Sequence, residues 1–213
     1  MANAVQAPQV IVVDDDDAVR LSICELLESV GLASRGFASA RQLLDSDALD
    51  RAGCMILDVR MPGLSGLDFQ NQLVASGASA AIIFLTGHGD IPMTVQAMKA
   101  GAVEFLTKPV RDQTLLDAVN RAIVIDAGKR GAEEATRANI ALFHTLTPRE
   151  RQVMSAVVDG ALNKQIAFEL GISEVTVKLH RSSVMKKMQV PFLPHLVRAW
   201  QSLPSDLRDG ISN

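Results

Sequence analysis

Apolar residues recur along this chain in two rhythms. Short unbroken runs, Val10-Ile11-Val12-Val13, Cys54-Met55-Ile56-Leu57 and Ala81-Ile82-Ile83-Phe84-Leu85, each stop on a polar residue. Runs this short and apolar throughout are the pattern of strands buried on both faces of a parallel sheet. Between them the spacing becomes helical: Val19, Ile23, Leu26, Leu27 and Val30 before Gly31, Leu67, Phe69 and Leu73 after Gly66, and Leu115, Val119, Ala122 and Ile123 after Pro109. Weaker strands are predicted at Leu32 to Phe37 and Glu104 to Thr107, Ser39 caps a short helix, and Gly53 precedes the strand that ends at Asp58. Pro92 opens a helix that runs to Ala100 and stops at Gly101. Five strands alternating with five helices over residues 8–125 predict an α/β fold, a doubly wound five-stranded parallel sheet.

From residue 126 the rhythm changes. Residues 126–141 are polar, Ala-rich and mixed in charge, and read as a partly helical, solvent-exposed linker. Thr147-Pro148-Arg149-Glu150 then combines a capping box with proline at the first helical position. The helix it starts carries Val153, Met154, Val157 and Val158 and ends near Gly160. A second helix, Asn163 to Leu170, has a polar cap at its start and Gly171 as its stop. Ile172-Ser173 makes a tight turn, and Ser173 caps a third helix running to about Met188. Two helices joined by so short a turn make a helix-turn-helix, so a small all-α domain is expected over residues 142–206. Its last helix, Pro194 to Leu203, is mostly core, with an outer face that could serve dimerisation.

On the third helix Val177, Val184 and Met188 share one side, with His180 at its margin as a packed, hydrogen-bonded residue. Val175, Lys178, Leu179, Ser182 and Lys186 lie opposite. A basic face of small residues suits the DNA major groove, with lysine to guanine acceptors or phosphates and leucine to a thymine methyl. The plainer alternative is a solvated face. Lys164 and Arg181 would be phosphate contacts.

Charge supports a division of labour. Residues 1–126 hold 9 Lys and Arg against 16 Asp and Glu, a net of −7, and the rest of the chain has a net of +4. An acidic front and a basic back point to different partners, with double-stranded DNA a candidate for the second. The whole, 48% hydrophobic and 21% charged, has the composition of a soluble globular protein. Cys24 and Cys54 have no companion at metal-ligand spacing and read as buried free thiols. No apolar run reaches ~18 residues and no secretory signal is recognisable, so no membrane partner and a cytoplasmic location are expected.

In a doubly wound sheet the strand ends converge on one edge. Here they are Asp14 and Asp15, Asp58, Thr86, and Thr107 followed by Lys108-Pro109. Each has a plain reading alone: an acidic turn, a capping Asp, a strand-end Thr, a surface lysine. Together they are a coherent site. Three carboxylates at close quarters call for a cation, and an all-oxygen cluster suits Mg²⁺ rather than zinc. Lys108 would neutralise one phosphoryl oxygen and Thr86 would donate to another, which makes Asp58 a phosphoryl acceptor.

These stretches, Val13-Asp14-Asp15, Leu57-Asp58-Val59-Arg60-Met61-Pro62-Gly63-Leu64-Ser65-Gly66, Thr86-Gly87-His88-Gly89-Asp90 and Lys99 to Pro109, resemble the receiver domain of two-component response regulators. The resemblance implies a flavodoxin-like receiver in which Asp58 takes a phosphoryl group from a sensor histidine kinase. Mg²⁺ would be held by Asp15, Asp58 and the backbone carbonyl of Arg60, with Asp14 helping. Thr86 and Phe105 would be the switch pair, and Lys108-Pro109 a cis peptide. Phe105 lacks the hydroxyl of a tyrosine in that role, and Val110 stands where phenylalanine is common. His88 reads as loop structure or access control.

The second domain resembles the LuxR-type DNA-binding domain through Leu146-Thr147-Pro148-Arg149-Glu150, Asn163-Lys164-Gln165-Ile166-Ala167, Leu170-Gly171-Ile172-Ser173, Thr176-Val177-Lys178-Leu179-His180 and Lys187. The pair is similar to the NarL/FixJ family, and to its FixJ-like branch in Thr-Gly-His-Gly-Asp and His195-Leu196-Val197-Arg198. What this implies is a phosphorylation-dependent transcription factor rather than an enzyme. DNA contacts would come from Asn163, Lys164, Thr176, Lys178, Leu179, Arg181, Ser182 and Lys186, with Lys178, Leu179 and Ser182 reading bases. A homodimer would form through the fourth helix and fifth strand, and RNA polymerase would be a further partner. Two other classes meet parts of the pattern. A haloacid-dehalogenase-type phosphatase needs Asp-x-Asp-x-Thr after the first strand, and Asp14 to Ala18 lacks that threonine. A phosphorylation-independent adaptor would bind DNA equally with and without a phosphoryl mimic.

Overall fold

The structure, a computed structural model, describes residues 9–49, 52–76, 80–87 and 89–210. His88 lies outside the described residues. The chain forms two compact units divided between Arg130 and Gly131.

In the first unit the strands are β1 (Gln9–Val13), β2 (Ser34–Phe37), β3 (Ala52–Leu57), β4 (Ile82–Thr86) and β5 (Glu104–Thr107). They form one parallel sheet in the order β2-β1-β3-β4-β5. The helices between them are α1 (Asp17–Ser29), α2 (Ala40–Leu44), α3 (Gly66–Ala75) and α4 (Ile91–Lys99), and α5 (Asp112–His144) follows. Strand side chains alternate between faces. Ile11, Val13, Met55, Leu57 and Phe84 bury against Leu43, Phe69, Leu73 and Ala97, while Val10, Val12, Cys54, Ile56, Ile83 and Leu85 bury against Ile23, Leu27, Leu115, Val119 and Ala122. Helices on both faces make the sheet doubly wound, as predicted. Because β1 and β3 are neighbours while the chain visits β2 between them, the order reverses at β1, and a crevice opens at the carboxyl ends of β1 and β3.

The segment read as a partly helical linker is one unbroken helix with the end of the sheet-packing helix: α5 has 33 residues. Residues 127–135 are exposed. Asp126, however, is buried and pairs with Arg130 at 2.6 Å, and Arg130 also donates to the carbonyl of Ala52. Alanine-rich sequence sustains the helix through Gly128 and Gly131, each of which costs about 1 kcal/mol relative to alanine.

The second unit holds α6 (Pro148–Val158), α7 (Asn163–Leu170), α8 (Glu174–Lys187), α9 (Leu193–Gln201) and a short α10 (Ser205–Asp209) that no sequence signal announced. Its core joins Phe143, Leu146, Val153, Met154, Val157, Ile166, Val177, Val184, Met188, Leu196 and Leu203. The Thr147/Glu150 capping box forms as predicted. The polar cap expected on α7 does not: Leu162 is the N-cap residue, and the Gln165 side chain accepts from its N–H at 2.7 Å.

Candidate functional site

Strand register sets the first candidate site. Val13 pairs with Leu57, Leu57 with Phe84, and Thr86 with Thr107, so the residues that follow β1, β3 and β5 emerge along one edge. The four consecutive aspartates after β1 divide their work. Asp14 is buried, and its Oδ1 accepts from the N–H of Asp16 at 3.0 Å. Asp15 stays exposed at the crevice. Asp16 caps α1, accepting from the N–H groups of Ala18 and Val19. Asp17 pairs with Arg20.

Lys108 is the hub. Its Nζ donates to Asp14 Oδ2 at 2.6 Å and to Asp58 Oδ2 at 2.9 Å, so one ammonium faces two carboxylates. Burial alone would push its pKa down, but the two hydrogen bonds outweigh burial and hold it above the ordinary lysine value. Burial pushes the Asp14 carboxyl up despite its bond to Lys108. Asp58 is 8% exposed, and its Oδ1 accepts the N–H of Arg60 at 3.1 Å. Thr86 is buried and Phe105 half-buried, with its ring 5.9 Å from that of Phe84. The Lys108-Pro109 peptide is cis.

Oxygens of Asp14, Asp15 and Asp58 lie within 4.8 Å of one another. An all-oxygen set with a net negative charge, even after Lys108 is counted, fits a hard divalent cation such as Mg²⁺. Gly66 belongs to this site, although its sequence context marks it only as the residue before a helix and as part of a motif. A Cβ there would stand 2.2 Å from the backbone oxygen of Asp58, so only glycine lets the start of α3 approach the site so closely.

On α8, Val177 and Val184 are buried, while Lys178, Leu179, Ser182 and Lys186 are exposed, as is Val175. His180 is half-buried. Lys164 is exposed at the start of α7. Three of the expected DNA contacts, Asn163, Thr176 and Arg181, have partners within the unit. Arg181 donates to Asn163 Oδ1 at 2.9 Å, and the Thr176 hydroxyl lies 2.8 Å from that of Ser173 in the cap. Behind this face Lys187 Nζ meets Glu150 Oε2 at 2.6 Å. No described helix is long and apolar enough to cross a membrane.

Comparison with known proteins divides the chain the same way. The response regulator receiver domain family matches residues 10–120, and the luxR family of bacterial regulatory proteins matches residues 144–200. Nodulation protein W of Bradyrhizobium diazoefficiens is 52% identical over 194 residues, which cover 91% of this chain and 86% of that protein. The transcriptional regulatory protein FixJ of Azorhizobium caulinodans is 49% identical over 189 residues, covering 88% of this chain and 89% of that one. The solved structure of the response regulator StyR superposes with a TM-score of 0.79 at 47% identity, over 92% of this chain and 98% of that chain.

Proposed function

The chain belongs to the response regulators, joining a receiver domain to a LuxR-type DNA-binding domain like its FixJ-type relatives, and on that premise we propose that phosphorylation of Asp58 controls its sequence-specific binding to DNA. The observation that carries this reading is the Lys108 ammonium bonded to Asp14 and Asp58 at the meeting point of three strands. An Asp58 carboxylate oxygen attacks the phosphorus of a phosphohistidine on a sensor kinase, the P–N bond breaks, and its electron pair leaves with the imidazole. Lys108 then balances charge on the transferred group, and Thr86 donates its hydroxyl to it. Mg²⁺ held by Asp14, Asp15, Asp58 and the Arg60 carbonyl would neutralise the phosphoryl oxygens in transfer.

As Thr86 turns toward the phosphoryl group, Phe105 follows inward, and the α4–β5 face becomes the surface of a homodimer. Ile91, Val95 and Met98 are exposed on α4, 80%, 45% and 43% respectively, an apolar stripe that supports this reading. The dimer presents two α8 helices to half-sites about one turn of DNA apart. Lys178, Leu179 and Ser182 read base edges there, Lys164 and Lys186 meet phosphates, and Asn163 holds Arg181 in place for a third phosphate contact.

The test is phosphoryl uptake from acetyl phosphate with Mg²⁺, read by phosphate-affinity electrophoresis, with dimerisation read by sedimentation. Wild-type protein should be modified at Asp58 and dimerise. If Asp58→Asn still accepts phosphate, or dimerises in response to it, the reading is wrong.

A further inference from the structure

The β1–α1 turn is held by a side chain outside the receiver motif, Arg20 of α1. Asp14 is where the sheet ladder stops: its N–H still donates to Phe37 of β2 at 3.1 Å. Its carbonyl is taken up by a side chain, the Arg20 guanidinium, whose Nη1 donates to it at 2.6 Å. The other terminal nitrogen, Nη2, pairs with Asp17. The side chain of Arg20 is only 16% exposed, and its stem runs over Gly36 of β2. A Cβ at Gly36 would lie 3.0 Å from Arg20 Cγ and 3.1 Å from Cδ, so the absence of a side chain there is what seats the stem.

The Asp14 carbonyl and the Asp15 N–H belong to one planar peptide group. Holding that oxygen fixes ψ of Asp14 and φ of Asp15 together, and those two torsions aim both carboxylates. We propose that Arg20 is a positioning residue for the metal site: it locks the Asp14–Asp15 peptide so that the two carboxylates converge with Asp58 on Mg²⁺. The inference rests on the metal reading above and goes beyond it, because the bonds of Arg20 go to the Asp14 carbonyl and to Asp17, outside the three-carboxylate cluster.

Charge and positioning make opposite predictions, which makes the idea testable. A guanidinium beside a cation site repels the cation, so if Arg20 acted only through its charge, its removal would tighten Mg²⁺ binding. If it acts by positioning, removal loosens binding, by about tenfold, the scale of losing a group that orients a metal ligand. Arg20→Met keeps a stem over Gly36 and removes the hydrogen bonds. Arg20→Lys keeps the charge and one possible bond to the Asp14 carbonyl.

Full-length protein is titrated with MgCl2 by isothermal calorimetry, and phosphoryl uptake from acetyl phosphate is followed as Mg²⁺ is raised. The expected result is a roughly tenfold weaker Mg²⁺ affinity in Arg20→Met, partial rescue in Arg20→Lys, and an uptake rate that recovers to within about twofold at saturating Mg²⁺. Gly36→Ala should weaken Mg²⁺ binding about twofold to threefold in the wild-type background and have no effect in Arg20→Ala, since its influence passes through the arginine. Unchanged or tighter Mg²⁺ binding by a folded Arg20→Met overturns the positioning role and leaves the metal site standing. Absence of Mg²⁺ binding by the wild type overturns the metal reading itself.

Discussion

The two units of this protein each bury a carboxylate against a lysine at the same distance, and the two pairs do opposite things. In the receiver, Lys108 meets Asp14 at 2.6 Å; in the DNA-binding unit, Lys187 meets Glu150 at 2.6 Å. Glu150 is locally saturated. It also accepts the N–H of Thr147 at 2.8 Å, its own N–H goes to the Thr147 hydroxyl, and Lys187 spends a second hydrogen on the carbonyl of Thr145 at 3.3 Å. One charge meets one charge, and the cap closes on itself. Lys108 instead divides its single charge between Asp14 and Asp58, with Asp15 beside them. The surplus of negative charge, gathered from the ends of separate strands, is what makes the receiver cluster ask for a ligand. A balanced pair holds a fold together; an unbalanced one holds a site ready.

The largest effects should come from breaking the unbalanced cluster. Lys108→Met is expected to slow phosphoryl uptake at Asp58 by about 10²–10³-fold, the scale of losing one charge-stabilising donor from a transfer site. It should also increase the thermal stabilisation the protein gains from Mg²⁺, because Asp14 and Asp58 would then face each other without a counter-charge. Phosphate-affinity electrophoresis and melting curves with and without MgCl2 check both. Lys187→Met is the converse. Uptake at Asp58 should stay at the wild-type rate, while the DNA-binding unit loses about 1–3 kcal/mol, as when a hydrogen-bonded charge is orphaned. If Lys187→Met slowed uptake as well, the distinction between the two pairs would collapse.

An effect smaller than that of Lys108→Met is expected on the outer face of α8, where Lys178 is exposed. Lys178→Ala should weaken binding to the specific operator by about 1–3 kcal/mol and binding to random DNA by less, measured by fluorescence anisotropy at fixed salt. An equal loss on both would make Lys178 a phosphate contact. Arg181→Ala should behave differently from Lys178→Ala, since its guanidinium is already bonded to Asn163. Loss of that bond should weaken all DNA binding by a similar factor.

Sequence alone announced the sheet, the order of its elements and the residues at its strand ends, because buried parallel strands leave an unmistakable apolar run and stop where the polar residue begins. It announced Glu104 to Thr107 and Asn163 to Leu170 with the bounds the structure has. Besides α10 and the Leu162 cap, three features were not legible. The continuity of α5 through residues 126–141 escaped because an exposed helix has no apolar stripe to reveal it, and its two glycines look like breaks. Arg20 and Gly36 escaped because their partnership spans β1, α1 and β2 and follows no local periodicity. The pairing of Lys187 with Glu150 spans 37 positions, and each residue has a sufficient local explanation without the other.

The smallest expected effect separates the two buried carboxylates by the sign of their response to pH. Burial pushes Glu150 upward, but its bonds from Lys187 and Thr147 prevail and hold its pKa below the usual 4.5. A folded-state pKa below the unfolded one means the unfolded chain binds more protons through that window. The stabilisation is therefore present above about pH 4.5 and is lost as pH falls through the folded value. Asp14, whose pKa is raised from 3.8, has the reverse slope: above that pH the folded state holds the proton more tightly, and stability declines as pH rises through its window. The protein has a single tryptophan, Trp200, packed edge-on against Phe143 at 6.2 Å, so its fluorescence reports the melting of the DNA-binding unit alone. That signal should show Tm falling by a few degrees, on the order of 1 kcal/mol, as pH is lowered from about 5 toward about 3. In Glu150→Gln, which keeps an acceptor for Lys187 but cannot titrate, the fall should flatten. An unchanged slope would mean that Lys187 and Glu150 contribute packing without charge, and the contrast with Lys108 would then rest on geometry alone.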